Sequence, residues 1–131
     1  MLRLPAAAHA AIVGQAYDGY PLEICGLLVG RGAIVRRYEP AANAAASAKV
    51  YTIDPKDHLR IERRADDDDL EVIGVVHSHT HTDPVPSPTD IAQEPDPAWH
   101  YVIVSLRDEA PMLRSWRIVD GTPTEEQVVV T

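Results

Sequence analysis

The segment that most constrains the fold is a short apolar run over residues 72–76, which leads directly into His77, Ser78 and His79. A short β-branched run that ends in polar residues predicts a buried strand. Because side chains alternate across a strand, His77 and His79 project from the same face while Ser78 points away. The sequence therefore predicts a strand that brings two imidazoles to one point at its end.

A carboxylate follows these histidines at a distance that a folded loop can close. Asp90 comes eleven positions after His79, beyond a segment stiffened by Pro84, Pro86 and Pro88. Two neutral imidazoles and one carboxylate are a common ligand set for a catalytic zinc, whose fourth position is left to water. A His-x-His pair alone would be weaker, because a histidine at a strand end is often an ordinary surface or core residue.

The complete spacing, with His77 and His79 followed by Ser87 and Asp90, resembles the signature of the JAMM metalloprotease family, also called the MPN-plus domain. The resemblance covers most of the chain and implies one zinc ion (Zn2+) per chain, held by His77, His79 and Asp90. It also implies a layered α/β (α+β) fold, in which helices flank a mixed, largely antiparallel sheet. This fold is similar to the cytidine-deaminase sandwich. A coincidental polar loop is the alternative.

The same resemblance implies catalytic roles for two further residues. Glu23 precedes the small, glycine-rich run 24–30 and matches the family's glutamate, which takes a proton from the attacking water and later returns it to the leaving amine. Ser87 matches a serine that donates a hydrogen bond to the developing oxyanion. The alternatives are an exposed Glu23 and a Ser87 that only caps the loop before Pro88. His81 continues the alternation and is interpreted as cleft-lining or exposed, not as a ligand.

The remaining pattern predicts alternating helices and strands. Asp54 and Pro55 are typical of an N-cap and a first-turn proline, and they predict a helix that continues to about residue 65. The acidic run 66–69 is interpreted as a solvated turn and not as a calcium loop. Elsewhere we predict a helix over 5–19, strands over 24–29, 33–38, 100–106, 112–119 and 126–130, an extended piece over 49–53 and a helical turn over 89–93.

Length and charge restrict the class of protein. With 131 residues, the chain is expected to form one domain over residues 1–131. Twelve basic against twenty acidic residues give a net charge of −8, which argues against nucleic acid as a partner. No apolar run is long enough to cross a bilayer, so no membrane association is expected. The one cysteine, Cys25, is expected to be buried, and its isolation is typical of a reducing, cytoplasmic location.

The compact length is similar to that of the short bacterial members of the family. That resemblance implies a zinc-dependent peptidase that cuts an amide bond at the C-terminal Gly-Gly tail of a ubiquitin-like sulfur carrier protein, for example to release cysteine during cysteine biosynthesis. Two alternatives stay open: an isopeptidase acting on ubiquitin-like proteins, and a non-catalytic MPN scaffold. A zinc deaminase is excluded, because that chemistry needs a Pro-Cys-x-x-Cys motif and the chain has one cysteine. The native carrier and the oligomeric state, including a homodimer, also stay open.

Overall fold

A computed structural model describes residues 1–93 and 96–131. Strands and helices alternate along most of the chain. In order they are β1 (Leu2–Leu4), α1 (Ala6–Gly19), β2 (Cys25–Arg31), β3 (Ile34–Ala41), α2 (Pro55–Asp67), β4 (Glu71–His79), α3 (Pro88–Ala92), β5 (His100–Ser105), β6 (Met112–Val119), β7 (Thr122–Glu126) and β8 (Val128–Val130).

The strands form one sheet in the order β7-β6-β5-β4-β2-β3-β1-β8. The pairs β2/β3, β2/β4, β5/β6 and β6/β7 are antiparallel. The pairs β4/β5, β1/β3 and β1/β8 are parallel. This confirms the predicted mixed, largely antiparallel sheet with flanking helices. The pairing of β4 with β5 needs a glycine at Gly74, because a Cβ there would collide with the carbonyl oxygen of His100.

Each face of the sheet carries an apolar layer. On one face, Ile12 and Ala16 of α1 belong to a buried cluster that includes Leu28 and Val76 of the central strands. On the opposite face, the buried cluster combines α2 residues with side chains from β2, β4 and β5, namely Ile61, Ala65, Leu27, Val75 and Tyr101. Alternation along β4 therefore sends Val75 and His77 towards the α2 face and Val76 towards the α1 face.

The start of α2 is set by local chemistry, as predicted. The Asp54 side chain accepts hydrogen bonds from the backbone N–H groups of Lys56 and Asp57, and Pro55 occupies the first helical position. An N-cap of this kind stabilises a helix by about 1 kcal/mol. The helix buries Ile61 and Ala65 and exposes most of its charged residues to solvent.

The two ends of the chain differ from the sequence prediction. The strands β1 and β7 were not predicted, and the predicted terminal strand over 126–130 is wrong at its start. Residues Thr122–Glu126 form an antiparallel hairpin with β6, and Val128–Val130 then pairs in parallel with β1 at the opposite edge of the sheet. Three-residue strands are too short for an alternation signal, and their partners are distant in sequence.

Two internal segments also differ in detail. The predicted strand over 33–38 continues as β3 to Ala41. The extended piece over 49–53 contributes one isolated bridge, between Asn43 and Ile53, and no strand of its own. No helix in the described part of the chain is long and apolar enough to span a membrane.

Candidate metal centre

The central strands bring Glu23 and the two histidines to one edge of the sheet. In the antiparallel pairing of β2 with β4, Cys25 lies opposite His77. The pairing extends one residue further, because Ser78 N donates to Ile24 O at 3.1 Å and Ile24 N donates to Ser78 Oγ at 2.9 Å. The Ser78 side chain therefore hydrogen-bonds the backbone of Ile24. The start of β2, with Glu23 just before it, lies beside the end of β4.

Three ligand atoms converge at this edge. The His77 Nε2 and His79 Nε2 atoms are 3.2 Å apart, and Asp90 Oδ2 lies 3.2 Å from the first and 3.1 Å from the second. Tetrahedral zinc with bonds of about 2.0–2.1 Å has ligand atoms about 3.3–3.4 Å apart. The spacing of these atoms fits that geometry closely, and in the described residues they form a group that could hold a metal ion.

The position of Asp90 comes from the short helix α3. Ser87 is the N-cap: its Oγ accepts a hydrogen bond from Asp90 N at 3.1 Å, and Ser87 N donates to Asp90 Oδ2 at 2.9 Å. This reciprocal capping box fixes the Asp90 side chain with one oxygen towards the imidazoles. Ser87 thus caps the helix, which was one of its two predicted roles. In that bond the hydroxyl is an acceptor, so its own hydrogen can still be donated elsewhere.

Neighbouring groups orient both imidazoles. The Nδ1 of His79 lies 2.8 Å from the carbonyl oxygen of Asp83, which can only accept, so Nδ1 carries the proton and Nε2 presents its lone pair. The His77 ring stacks on Tyr51, with centroids 4.3 Å apart and planes 15° from parallel. The Nδ1 of His77 is buried and, among the residues that the structure describes, has no hydrogen-bond partner. Nothing in the sequence pattern indicated the stacking by Tyr51.

The charges of the three groups suit a divalent cation. Burial lowers the pKa of His77 and therefore favours its neutral form. Burial would raise the pKa of Asp90, but hydrogen bonds from His77 and His79 hold it well below its usual range. Burial also lowers the pKa of His79, but Asp90 and the carbonyl group of Asp83 outweigh this effect and raise it overall. A carboxylate next to two imidazoles can bind a divalent cation, because the cation takes the place of the protons that these groups would otherwise bind.

Glu23 is a buried carboxyl with unused hydrogen-bonding capacity. Its side chain is 4% exposed, and its Oε1 has no partner within residues 1–93 and 96–131. Burial raises the pKa of Glu23 from 4.5 to about 7, with the charge of His79 opposing the rise and that of Asp90 adding to it. The predicted alternative, an exposed Glu23, is wrong. A carboxyl that titrates near neutral pH beside a metal centre is suited to proton transfer.

A cavity of about 450 Å³ opens beside these groups. It is lined by Glu23, Ala48, Lys49, His79, Thr80, His81, Thr82 and Ser87. His81 is exposed at the rim, where its Nε2 lies 3.1 Å from Tyr20 Oη and its Nδ1 lies 2.9 Å from Thr80 Oγ1. It is not part of the three-ligand group, in agreement with its interpretation as a cleft-lining residue. The wall formed by Ala48 and Lys49 was not predicted from the sequence.

Comparison with known proteins identifies the family of this chain. The domain family described as prokaryotic homologues of the JAB domain matches residues 5–119. The chain belongs to this JAB family. It is 42% identical, over 92% of its length and 84% of the relative's, to a CysO-cysteine peptidase from Mycobacterium tuberculosis. It is 34% identical to a desampylase from Haloferax volcanii, over 79% of this chain and 80% of the relative.

A solved structure has the same fold as this chain. A protein from Desulfitobacterium hafniense, 28% identical in sequence, superposes with a TM-score of 0.92, covering 100% of this chain and 93% of the other. The resemblance predicted from the His77, His79, Ser87 and Asp90 spacing is confirmed at the level of the family by the match to the prokaryotic homologues of the JAB domain. In this JAB domain Glu23, His79 and Ser87 line the cavity, and His77 and Asp90 join His79 in the three-ligand group beside it.

Proposed function

We propose that this JAB-family protein is a zinc-dependent peptidase that hydrolyses the amide bond following the Gly-Gly tail of a ubiquitin-like sulfur carrier protein and releases a terminal cysteine. The observation that carries this proposal is the convergence of three ligand atoms within 3.2 Å beside the unpaired, buried carboxyl of Glu23. The name of the CysO-cysteine peptidase, 42% identical to this chain, supports the choice of substrate.

The residues fit the cofactor that the proposal needs. His77, His79 and Asp90 would hold one zinc ion per chain, with neutral nitrogen and anionic oxygen ligands at suitable spacing. When bound, zinc supplies Lewis-acid chemistry, lowering the pKa of water and polarising a carbonyl oxygen. The protein contributes the orientation of the ligands, through the Asp83 carbonyl group behind His79 and the Ser87 cap behind Asp90.

Glu23 performs the proton transfers in the proposed reaction. As a carboxylate, it accepts a proton from the attacking water; in its protonated form, it donates that proton to the departing nitrogen of the amide. A pKa of about 7 allows both states to be populated at neutral pH, so neither transfer is strongly uphill. The carboxyl needs no other partner to be displaced first, because its Oε1 makes no hydrogen bond within the described residues.

Ser87 stabilises the developing oxyanion. Its hydroxyl accepts from Asp90 N and retains its hydrogen, which can be donated to the carbonyl oxygen of the scissile amide as negative charge grows there. The loss of one donor of this type from an oxyanion site costs about 10²–10³ in kcat. The helix cap and the oxyanion role are therefore compatible in one side chain.

The cavity suits an extended diglycine tail. Its lining includes Glu23, His79 and Ser87, and glycine residues, which lack a side chain, can pass close to such groups. A non-catalytic scaffold would have no use for the complete set of metal ligands together with a buried, unpaired glutamate. The set therefore favours the enzyme over the scaffold.

The test is a cleavage assay with a purified carrier that ends in Gly-Gly-Cys. The zinc-loaded protein should shorten this carrier by one residue, as measured by mass spectrometry, and a chelator should abolish the reaction until zinc is restored. Glu23→Gln should bind zinc and fail to turn over, whereas Glu39→Gln, a control at a buried glutamate that pairs with Arg64, should remain active. A wild-type protein that binds zinc and leaves every Gly-Gly-Cys carrier intact would refute the proposal.

A further inference from the structure

The cavity beside the metal centre carries one permanent positive charge. Among its lining residues, as far as the chain is described, this charge belongs to Lys49. The Lys49 ammonium is exposed at the rim and has no carboxylate partner in residues 1–93 and 96–131. Arg107, in contrast, donates to the Asp83 carboxylate at 2.8 Å. Lys49 therefore brings a positive charge to the cavity that Glu23 and His79 also line.

The backbone around Lys49 is tied to the elements that carry the metal centre. Glu23 N donates to Ser47 O at 2.8 Å, and Thr80 Oγ1 donates to Ala48 O at 3.3 Å. Lys49 N donates to Ser47 Oγ at 3.0 Å, which closes a small turn. The Cα of Lys49 is thus held near the cavity, although its side chain is free to move.

The second basic side chain at the rim is already occupied. The Thr80 hydroxyl uses its hydrogen to donate to Ala48 O. It must therefore accept from His81 Nδ1, which lies 2.9 Å away. His81 Nε2 in turn accepts from the Tyr20 hydroxyl at 3.1 Å. Both ring nitrogens of His81 are therefore engaged. Lys49 remains the group with unused donors and charge.

When the residue to be released is the last residue of the carrier, the tail has one ionised backbone group, the α-carboxylate of that residue. From the scissile carbonyl carbon, three backbone bonds lead to the carboxylate carbon, a separation of at most about 4 Å. A carboxylate this close to the reacting atoms must lie in the same cavity as Glu23 and His79, which Lys49 also lines. An isopeptide-linked lysine, in contrast, has its own carboxyl group in a peptide bond and presents no such anion.

We propose that Lys49 binds the α-carboxylate of the residue that is released, so that the cavity selects a free C-terminal amino acid over an isopeptide or an internal peptide bond. The inference rests on the proposed function, because it concerns the substrate of the same site. Lys49 is a specificity-determining residue: it positions the leaving residue without taking part in proton transfer.

The experiment compares two carriers that differ only at the last group, one ending in Gly-Gly-Cys with a free carboxylate and one ending in Gly-Gly-Cys amide. The wild-type protein should prefer the acid by about tenfold in kcat/KM, mainly through KM, a ratio that corresponds to ~1.4 kcal/mol. Lys49→Met should lower kcat/KM on the acid to the value on the amide, while Lys49→Arg should keep most of the preference. Lys56→Met is the matched control, because Lys56 is the other lysine of the chain and lies on α2 outside the cavity.

A binding titration separates this inference from the proposed function. With the zinc-loaded Glu23→Gln variant, the acid should bind about tenfold more tightly than the amide, and the further change Lys49→Met should abolish the difference. The role of Lys49 is overturned if the preference survives Lys49→Met. It is also overturned if the Glu23→Gln variant with Lys49 intact binds both carriers equally. If the wild-type protein cleaves neither carrier, the proposed function fails, and the titration still decides whether Lys49 recognises the carboxylate.

Discussion

Replacement of Glu23 by Gln is expected to stabilise the metal-free protein at alkaline pH. The Glu23 carboxyl is 4% exposed, and burial raises its pKa from 4.5 to about 7. A raised pKa means that the folded protein holds this proton more tightly than the unfolded chain does. The folded state is therefore destabilised as the pH rises from the ordinary pKa of the carboxyl to its raised pKa. The neutral amide has a similar shape and does not ionise, so it removes this penalty.

The magnitude follows from the two pKa values. At about 1.36 kcal/mol for each pKa unit, a rise from 4.5 to about 7 costs the folded wild-type protein about 3 kcal/mol at pH 8. At pH 5, where folded Glu23 is nearly all protonated, the cost is under about 1 kcal/mol. The free energy of unfolding of Glu23→Gln should therefore exceed that of wild type by about 2–3 kcal/mol more at pH 8 than at pH 5.

Urea denaturation in a chelating buffer, followed by circular dichroism at both pH values, measures this difference. The histidine ligands and Asp90 titrate in both proteins, so their contributions largely cancel in the comparison. Glu39→Gln is the matched control: Glu39 is 8% exposed but forms ion pairs with Arg37 and Arg64, so its replacement should give no gain in stability at pH 8. If Glu23→Gln is no more stable than wild type at pH 8, the assignment of Glu23 as a buried, unpaired carboxyl is refuted.

Two further predictions concern the candidate metal ligands and the side chain stacked on them, and a third concerns Glu126 at the end of β7. His79→Ala should bind no zinc under conditions in which wild type binds one ion, as measured by metal analysis after gel filtration, because it removes one of three ligands. Tyr51→Ala should weaken zinc binding about tenfold in competition with a chromophoric chelator, while Tyr51→Phe, which keeps the ring stacked on His77, should not; equal affinities of the two variants would contradict this. Burial would raise the pKa of Glu126, but hydrogen bonds from His100 and Ser115 lower it overall, so Glu126 stabilises the fold above its ordinary pKa and loses this effect as the pH falls. Glu126→Gln should thus reduce stability by about 1–3 kcal/mol at pH 7. In urea denaturation this deficit should shrink as the pH falls through the lowered pKa of folded Glu126, and a constant deficit at all pH values would contradict the charge argument.

The convergence of His77, His79 and Asp90 was predictable because its signals are local. Because side chains alternate along β4, His77 and His79 lie on the same face of the strand. The proline-rich loop that follows folds back, so that Asp90 contacts both histidines. These relations depend on residues within fourteen positions of one another. The JAMM resemblance added Glu23, whose position depends on the antiparallel pairing of β2 with β4 and could not be derived from composition alone.

The rest depends on contacts between residues that are distant in sequence. Strands β1 and β8 are three residues long and lie next to each other only because the two ends of the chain meet at one sheet edge. The stack of Tyr51 on His77 and the position of Lys49 at the cavity arise from an irregular segment whose backbone bonds to Glu23 and Thr80. No periodicity marks such residues, so the sequence indicated the candidate metal ligands better than the groups that surround them.

X-ray absorption at the zinc edge, on the protein loaded with one equivalent of zinc, shows whether His77, His79 and Asp90 bind the ion. We expect a first shell of nitrogen and oxygen at about 2.0–2.1 Å with the outer scattering of two imidazoles, and the loss of this signal in His77→Ala. A sulfur ligand at about 2.3 Å, which could come from Cys25, or the absence of bound zinc would contradict it.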